Sequence, residues 1–146
     1  MSYSPLLKPA FEYAIGVVRG DIAACEDVRL ACQRFLDMVE RKDAPYEFVP
    51  AKAEHILKFV KFTRHVKGAD AGRIIELSGF QVLLLAAIYG FRDKRDHSFR
   101  WTTDVILFVP RKSGKTTLAS IIALYELQFG DAGAEVFTLA TNREQA

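Results

Sequence analysis

An α/β fold is predicted: N-terminal helices, then the first βαβ unit of a parallel sheet, with that domain incomplete within the 146 residues. Three patterns predict it. Apolar residues recur at three- and four-residue steps through much of the first sixty positions, as amphipathic helices require. Thr102-Thr103-Asp104-Val105-Ile106-Leu107-Phe108-Val109 is a β-branched, apolar run of strand length, suited to a strand covered on both faces. A helical stretch then separates it from a second run, Glu135 to Ala140, and a strand–helix–strand order makes a right-handed crossover. A hydrophobic fraction of 50% supports a packed core and excludes a wholly disordered chain.

Taken in order, Lys8 to Arg19 reads as a short helix stopped by Gly20. Asp21 is the expected N-cap of a longer helix reaching Arg41, whose stripe is Cys25, Val28, Cys32, Phe35 and Val39. Two cysteines seven apart on that stripe make no disulfide framework and are read as buried free thiols. Asp43-Ala44-Pro45 breaks the helix, and a third begins near Pro50, a good first-turn residue, with Ile56, Phe59, Val60 and Thr63 on one side. Gly68-Ala69-Asp70-Ala71-Gly72 is a loop and the expected boundary between two regions. After Ser78, a plausible N-cap, Phe80 to Tyr89 is apolar almost all round, with Gln81 as its one polar side chain. Such a helix is buried on several sides, and a buried amide needs hydrogen-bond partners.

The net charge of +2 excludes a uniformly basic coat, but it is unevenly spread. Residues 61–115 carry eleven basic and five acidic side chains, while both flanking segments are slightly acidic. The dense stretch Arg92 to Arg100 is diluted by aspartates and reads as a solvated loop, with a polyanion-facing surface as the alternative. No apolar run approaches the ~20 residues of a membrane-spanning helix. The N-terminus lacks a secretory pattern, and a reducing cytoplasm is expected.

The chemistry concentrates at Pro110-Arg111-Lys112-Ser113-Gly114-Lys115-Thr116-Thr117, between the expected strand and a helix striped with Leu118, Ile121, Ile122, Tyr125 and Phe129 that stops at Gly130. Gly114-Lys115-Thr116 at a strand-to-helix turn is the back half of a P-loop. A triphosphate needs backbone N–H groups aimed at it, and a tight turn opening a helix supplies them together with the positive dipole end. Lys115 would reach the β- and γ-phosphates, Thr116 would ligate Mg²⁺ bound through the nucleotide, and Thr117 would add a hydroxyl to the α-phosphate. Gly114 permits close approach of the backbone. Arg111 and Lys112 make the loop strongly cationic, and the Arg111 guanidinium would grip phosphate oxygens and stabilise charge in the transition state. The front half departs from the motif, because Val109 stands where a glycine would.

With its first glycine missing and Arg111 three positions before Gly114-Lys115-Thr116, this loop resembles that of the large terminase subunit of tailed bacteriophages. Leu77-Ser78-Gly79-Phe80-Gln81, followed by Tyr89-Gly90-Phe91, is similar to the family's Leu-x-x-Trp-Gln element, with Phe80 in place of tryptophan. Ala134 to Thr141 and then Gln145-Ala146 resemble its second strand and next helix. The resemblance implies a P-loop NTPase fold: residues 1–72 as an N-terminal helical region and 73–146 as the start of the ATPase core. It further implies that ATP with Mg²⁺ is bound, that Gln81 contacts adenine, and that Arg111, Lys112, Ser113, Gly114, Lys115, Thr116 and Thr117 hold the phosphates. Lys115 and Arg111 take catalytic roles.

For the parent protein the resemblance implies an ATP-driven motor acting on double-stranded DNA. It would form an oligomeric ring only when assembled, with the small terminase subunit and the portal as partners. It would work in the bacterial host's cytoplasm without a membrane. An acidic strand for Mg²⁺ and water, and a nuclease domain, are expected outside these residues. The acids after the loop, Glu126, Asp131, Glu135 and Glu144, end no apolar strand, so this chain by itself is expected to be inactive. A helicase-like P-loop protein is the alternative within enzymes, disfavoured by Val109. A non-catalytic module docking the small subunit or the portal is the alternative outside them.

Overall fold

Lys8–Arg19 forms α1, with Pro9 in its first turn and Gly20 closing it at φ 85°, where the Gly20 N–H donates to Val17 O. The computed structural model describes residues 4–66, 68–130 and 133–137. Buried Ala10, Phe11, Ala14 and Val17 lie at helical steps along α1 and face the core. The second helix, α2 (Glu26–Glu40), starts five residues later than Asp21, with Cys25 as N-cap. The cause is local: the left-handed turn at Gly20 returns the Ile22 N–H to Gly16 O at 3.1 Å, so residues 20–25 make a linker. Of the expected α2 stripe, Cys32 and Phe35 are buried, and Cys25 is exposed. The expectation of two buried thiols therefore holds for Cys32 alone.

Two short strands not foreseen from the sequence pin the helices together. β1 (Tyr46–Phe48) runs antiparallel to β2 (Phe91–Asp93), with Tyr46 opposite Asp93, Glu47 opposite Arg92 and Phe48 opposite Phe91. Between them in sequence come α3 (Pro50–Val60) and α4 (Gly79–Gly90), and α4 packs against both α1 and α3. Being apolar all round, α4 buries Val82, Leu85, Ala86, Ile88 and Tyr89. An aromatic cluster joins the layers: Phe91 meets Phe48 at 5.2 Å, Tyr46 at 5.7 Å and Phe35 at 5.9 Å in edge-on arrangements. Each such pair adds about 0.5–1.5 kcal/mol beyond its buried area.

Arg92 is buried, and its guanidinium donates to Tyr89 O and Ser98 O, both at 3.0 Å. This clamps the charged loop of residues 92–100 back on β2. Within that loop Asp93 holds Arg95 through both carboxylate oxygens, and Asp96 accepts from the Ser98 N–H at 2.8 Å. Much of the loop's charge is thus spent on its own folding. Residues 63–66 and 68–75 form a second excursion, bridged at Arg64 and Ile74, with Gly68 and Gly72 left-handed.

The backbone divides into two compact units, the first running through Leu107 and the second starting at Phe108. Among the described residues the antiparallel β1–β2 pair is the whole sheet. Thr102–Val109, expected as a central parallel strand, has no strand beside it there, and Ile106 and Phe108 are 97% and 100% exposed. Extended backbone becomes sheet only when a neighbour takes up its N–H and C=O groups. Of the second expected strand, Glu135–Phe137 has no strand partner among the described residues, and residues 138–140 lie outside them. The chain is therefore a mixed helical and β protein, with a parallel sheet absent from the described residues.

Candidate phosphate-binding loop

The second unit contains α5 (Lys115–Phe129), which buries Leu118, Ile121 and Tyr125 along one stripe and ends as Gly130 donates to Glu126 O at 2.8 Å. Both of its ends lie where the sequence predicts them. At its N-terminus the backbone is unusual. Gly114 is the N-cap with φ 74° and ψ 15°, and Lys112, two residues earlier, has φ 66° without being glycine. A side chain held left-handed costs roughly 1–2 kcal/mol. Such strain gathers at ligand sites.

What keeps the loop bent is visible. The Ser113 hydroxyl donates to Pro110 O at 2.7 Å, and the Leu118 N–H donates to Gly114 O at 2.9 Å as the first helical bond. Lys112 and Gly114 are left-handed on either side of Ser113, and left-handed residues in a tight turn are what concave, anion-binding runs of N–H groups are built from. Among the described residues, none of the N–H groups of Gly114, Lys115, Thr116 or Thr117 meets a protein acceptor. The helix supplies further partial positive charge at the same point.

Beside this turn lies a hollow of about 270 Å³ lined by Arg111, Lys112, Gly114, Lys115, Thr116 and Thr117. Three cationic side chains share it and no carboxylate lines it. Among the described residues, none of Arg111, Lys112 and Lys115 is in an ion pair. Like charges brought together without counterions favour an anion, and a polyphosphate most of all. The fit for a metal is narrower. Among the described residues no group of three or more His, Cys, Asp or Glu could hold one, so the Thr116 hydroxyl would be joined by phosphate oxygens.

Six of the loop residues expected from the sequence are thus brought to one hollow. The seventh, Ser113, sits in the turn but spends its hydroxyl on Pro110 rather than lining the hollow. Gln81 belongs to the other unit, in the first turn of α4, and is half-buried rather than enclosed. Its carboxamide oxygen accepts from the Ser78 N–H at 2.9 Å, while the Ser78 side chain accepts from the Gln81 backbone, a reciprocal capping box. Sequence reasoning missed that pairing although Ser-x-x-Gln ahead of an apolar run is its signal.

Residues 79–146 match the family model described as terminase large subunit, ATPase domain. The second half of this chain resembles that domain. The family read from the loop residues is thereby shown over the matched stretch, which opens on the first residue of α4 and contains the entire terminase-like loop. No curated protein and no solved structure matches the chain. No helix among the described residues is long and apolar enough to cross a membrane.

Proposed function

We propose that the chain is the ATP-binding portion of a DNA-packaging terminase large subunit, taking Mg-ATP at the loop before α5. One observation supports the reading: a helix N-terminus whose first amides and whose three neighbouring cations have no protein partner among the described residues lines a single hollow. In this reading Lys115 would bridge the β- and γ-phosphates as a point charge, and Arg111 would hold phosphate oxygens with its fork and neutralise charge as the terminal phosphoryl leaves. The amides around Gly114 would cradle the phosphates, with Lys112 adding charge at the rim and Ser113 keeping the turn closed. Thr116 would touch Mg²⁺, which draws charge from the phosphates when bound, and Thr117 would reach the α-phosphate. Gln81 is the adenine contact in this reading, supported by a carboxamide's ability to serve both N6–H and N7.

The reading also makes Thr102–Val109 and Glu135–Ala140 strands of a parallel P-loop sheet, supported by their composition and by the exposed Ile106 and Phe108. A division at residue 72 is then one of role rather than of packing, since α4 packs with α1 and α3. DNA, the small subunit and the portal are partners of the whole motor, assembled as a ring in the host cytoplasm.

Titration of the purified chain with Mg-ATP tests the proposal. Lys115→Ala is expected to weaken binding at least about ten-fold, the worth of a charge-assisted contact. The chain alone is expected to hydrolyse ATP no faster than buffer. Unchanged affinity in Lys115→Ala, or turnover that survives it, overturns the assignment.

A further inference from the structure

We propose that Ser113 is a positioning residue: its hydroxyl, bonded to Pro110 O, holds Lys112 left-handed and so sets the turn before any phosphate arrives. Its functional meaning rests on the reading of this loop as the nucleotide site.

Residues 110–113 make a tight turn with Lys112 at its third position. A left-handed φ at that position calls for glycine or asparagine, yet Lys112 has φ 66°. A side chain there is disfavoured roughly five- to thirty-fold. What the loop gains is a third cation at the hollow, beside Arg111 and Lys115, where glycine would bring none.

Something must hold the turn against that bias. The Ser113 hydroxyl reaches back across Arg111 and Lys112 and donates to Pro110 O at 2.7 Å, closing the chain over the strained residue. One such hydrogen bond favours the closed form roughly two- to ten-fold. The two effects are similar in size and opposite in sign, so the closed fraction depends on the hydroxyl. A site competent only when closed loses affinity in proportion to that fraction. A turn already closed need not reorganise as its ligand binds. All of these groups lie within one compact unit.

A serine that only touched phosphate would act only with ligand present. Any other contact of Ser113 would be lost equally whatever residue stands at position 112. The latch alone makes the effect of Ser113 depend on Lys112.

The experiment is a double-mutant cycle in the full chain: unsubstituted, Ser113→Ala, Lys112→Gly and the two together. The first readout is the initial rate of trypsin cleavage after Arg111 without nucleotide, normalised to the same sequences as short peptides. That rate follows the opened fraction of the turn. The second is displacement of a fluorescent ATP analogue by Mg-ATP. Ser113→Ala is expected to speed cleavage roughly two- to ten-fold and to weaken Mg-ATP binding by a similar factor. In the Lys112→Gly background both effects are expected to fall below about two-fold, because glycine is left-handed without strain. An effect on cleavage that is absent, or equally large in both backgrounds, overturns the inference and leaves the nucleotide reading standing. Coupled cleavage in a chain that binds no Mg-ATP supports the latch and overturns that reading. If Ser113→Ala does not fold, Lys112→Gly alone decides. Slower cleavage than in the unsubstituted chain supports a strained residue held by the latch, and equal or faster cleavage overturns it.

Discussion

Gly90 lies against the Phe48 ring, so close that a Cβ at position 90 would overlap the ring carbons Cε2 and Cδ2. The contact joins the end of α4 to β1, and the Val49 N–H donates to Gly90 O at 2.8 Å beside it. Gly90→Ala must push Phe48 out of the aromatic cluster or open the strand pair. Overpacking of this kind costs about 1–3 kcal/mol. The midpoint of thermal unfolding, followed by circular dichroism, is expected to fall by several degrees. An unchanged midpoint means that the ring yields freely.

Gly114→Ala probes a different property, because the position is left-handed and lines the hollow. An added methyl there carries roughly 1–2 kcal/mol of backbone strain and intrudes on the hollow proposed to take the phosphates. Mg-ATP affinity is expected to fall by about ten-fold or more. A calorimetric titration beside a melting curve separates lost binding from lost fold.

The Asp93 carboxyl is held well below the usual carboxylate range, at about 2, chiefly by side-chain hydrogen bonds from Arg95 and then by the Arg95 N–H. Because the folded value is depressed, its contribution to stability is full above the ordinary value of 3.8 and fades as pH falls toward about 2. Asp93→Asn is therefore expected to melt lower than the unsubstituted chain at pH 5. Melting curves taken down the acid range are expected to converge near pH 2. A gap independent of pH rules out the ionised pair as its source.

The thiols should separate cleanly. Cys25 is exposed at the N-cap of α2, while Cys32 is 1% exposed and burial pushes its thiol up. One equivalent of a thiol reagent is expected to react in the native chain, and the second only after denaturant is added. Mass mapping should place the native adduct on Cys25, and equal native labelling of both would contradict the packing of α2.

Much of the helical architecture was legible because its signals are local. Gly20 and Gly130 end α1 and α5, Pro50 opens α3, and Ser78 caps α4 where the residue types require it. Asp21 misled because a good N-cap residue has no effect where a left-handed turn has redirected the chain. β1 and β2 escaped notice because each has only three residues, too few for any periodicity, and their partners lie far apart in sequence. At the loop, Gly114-Lys115-Thr116 announced the turn into α5, yet nothing in the letters shows that Lys112 is left-handed or that Ser113 latches Pro110. Thr102–Val109 has the composition of a strand, but a sheet is a relation between segments and composition supplies only one side of it.

That uncovered stretch, with Val105, Ile106, Leu107 and Phe108 all open to solvent, sets how the protein behaves in the tube. Greasy extended backbone recruits its own kind when crowded. Storage above modest dilution should thus promote clumping, and a charged substitution at Ile106 is the simplest remedy for anyone who has to concentrate it.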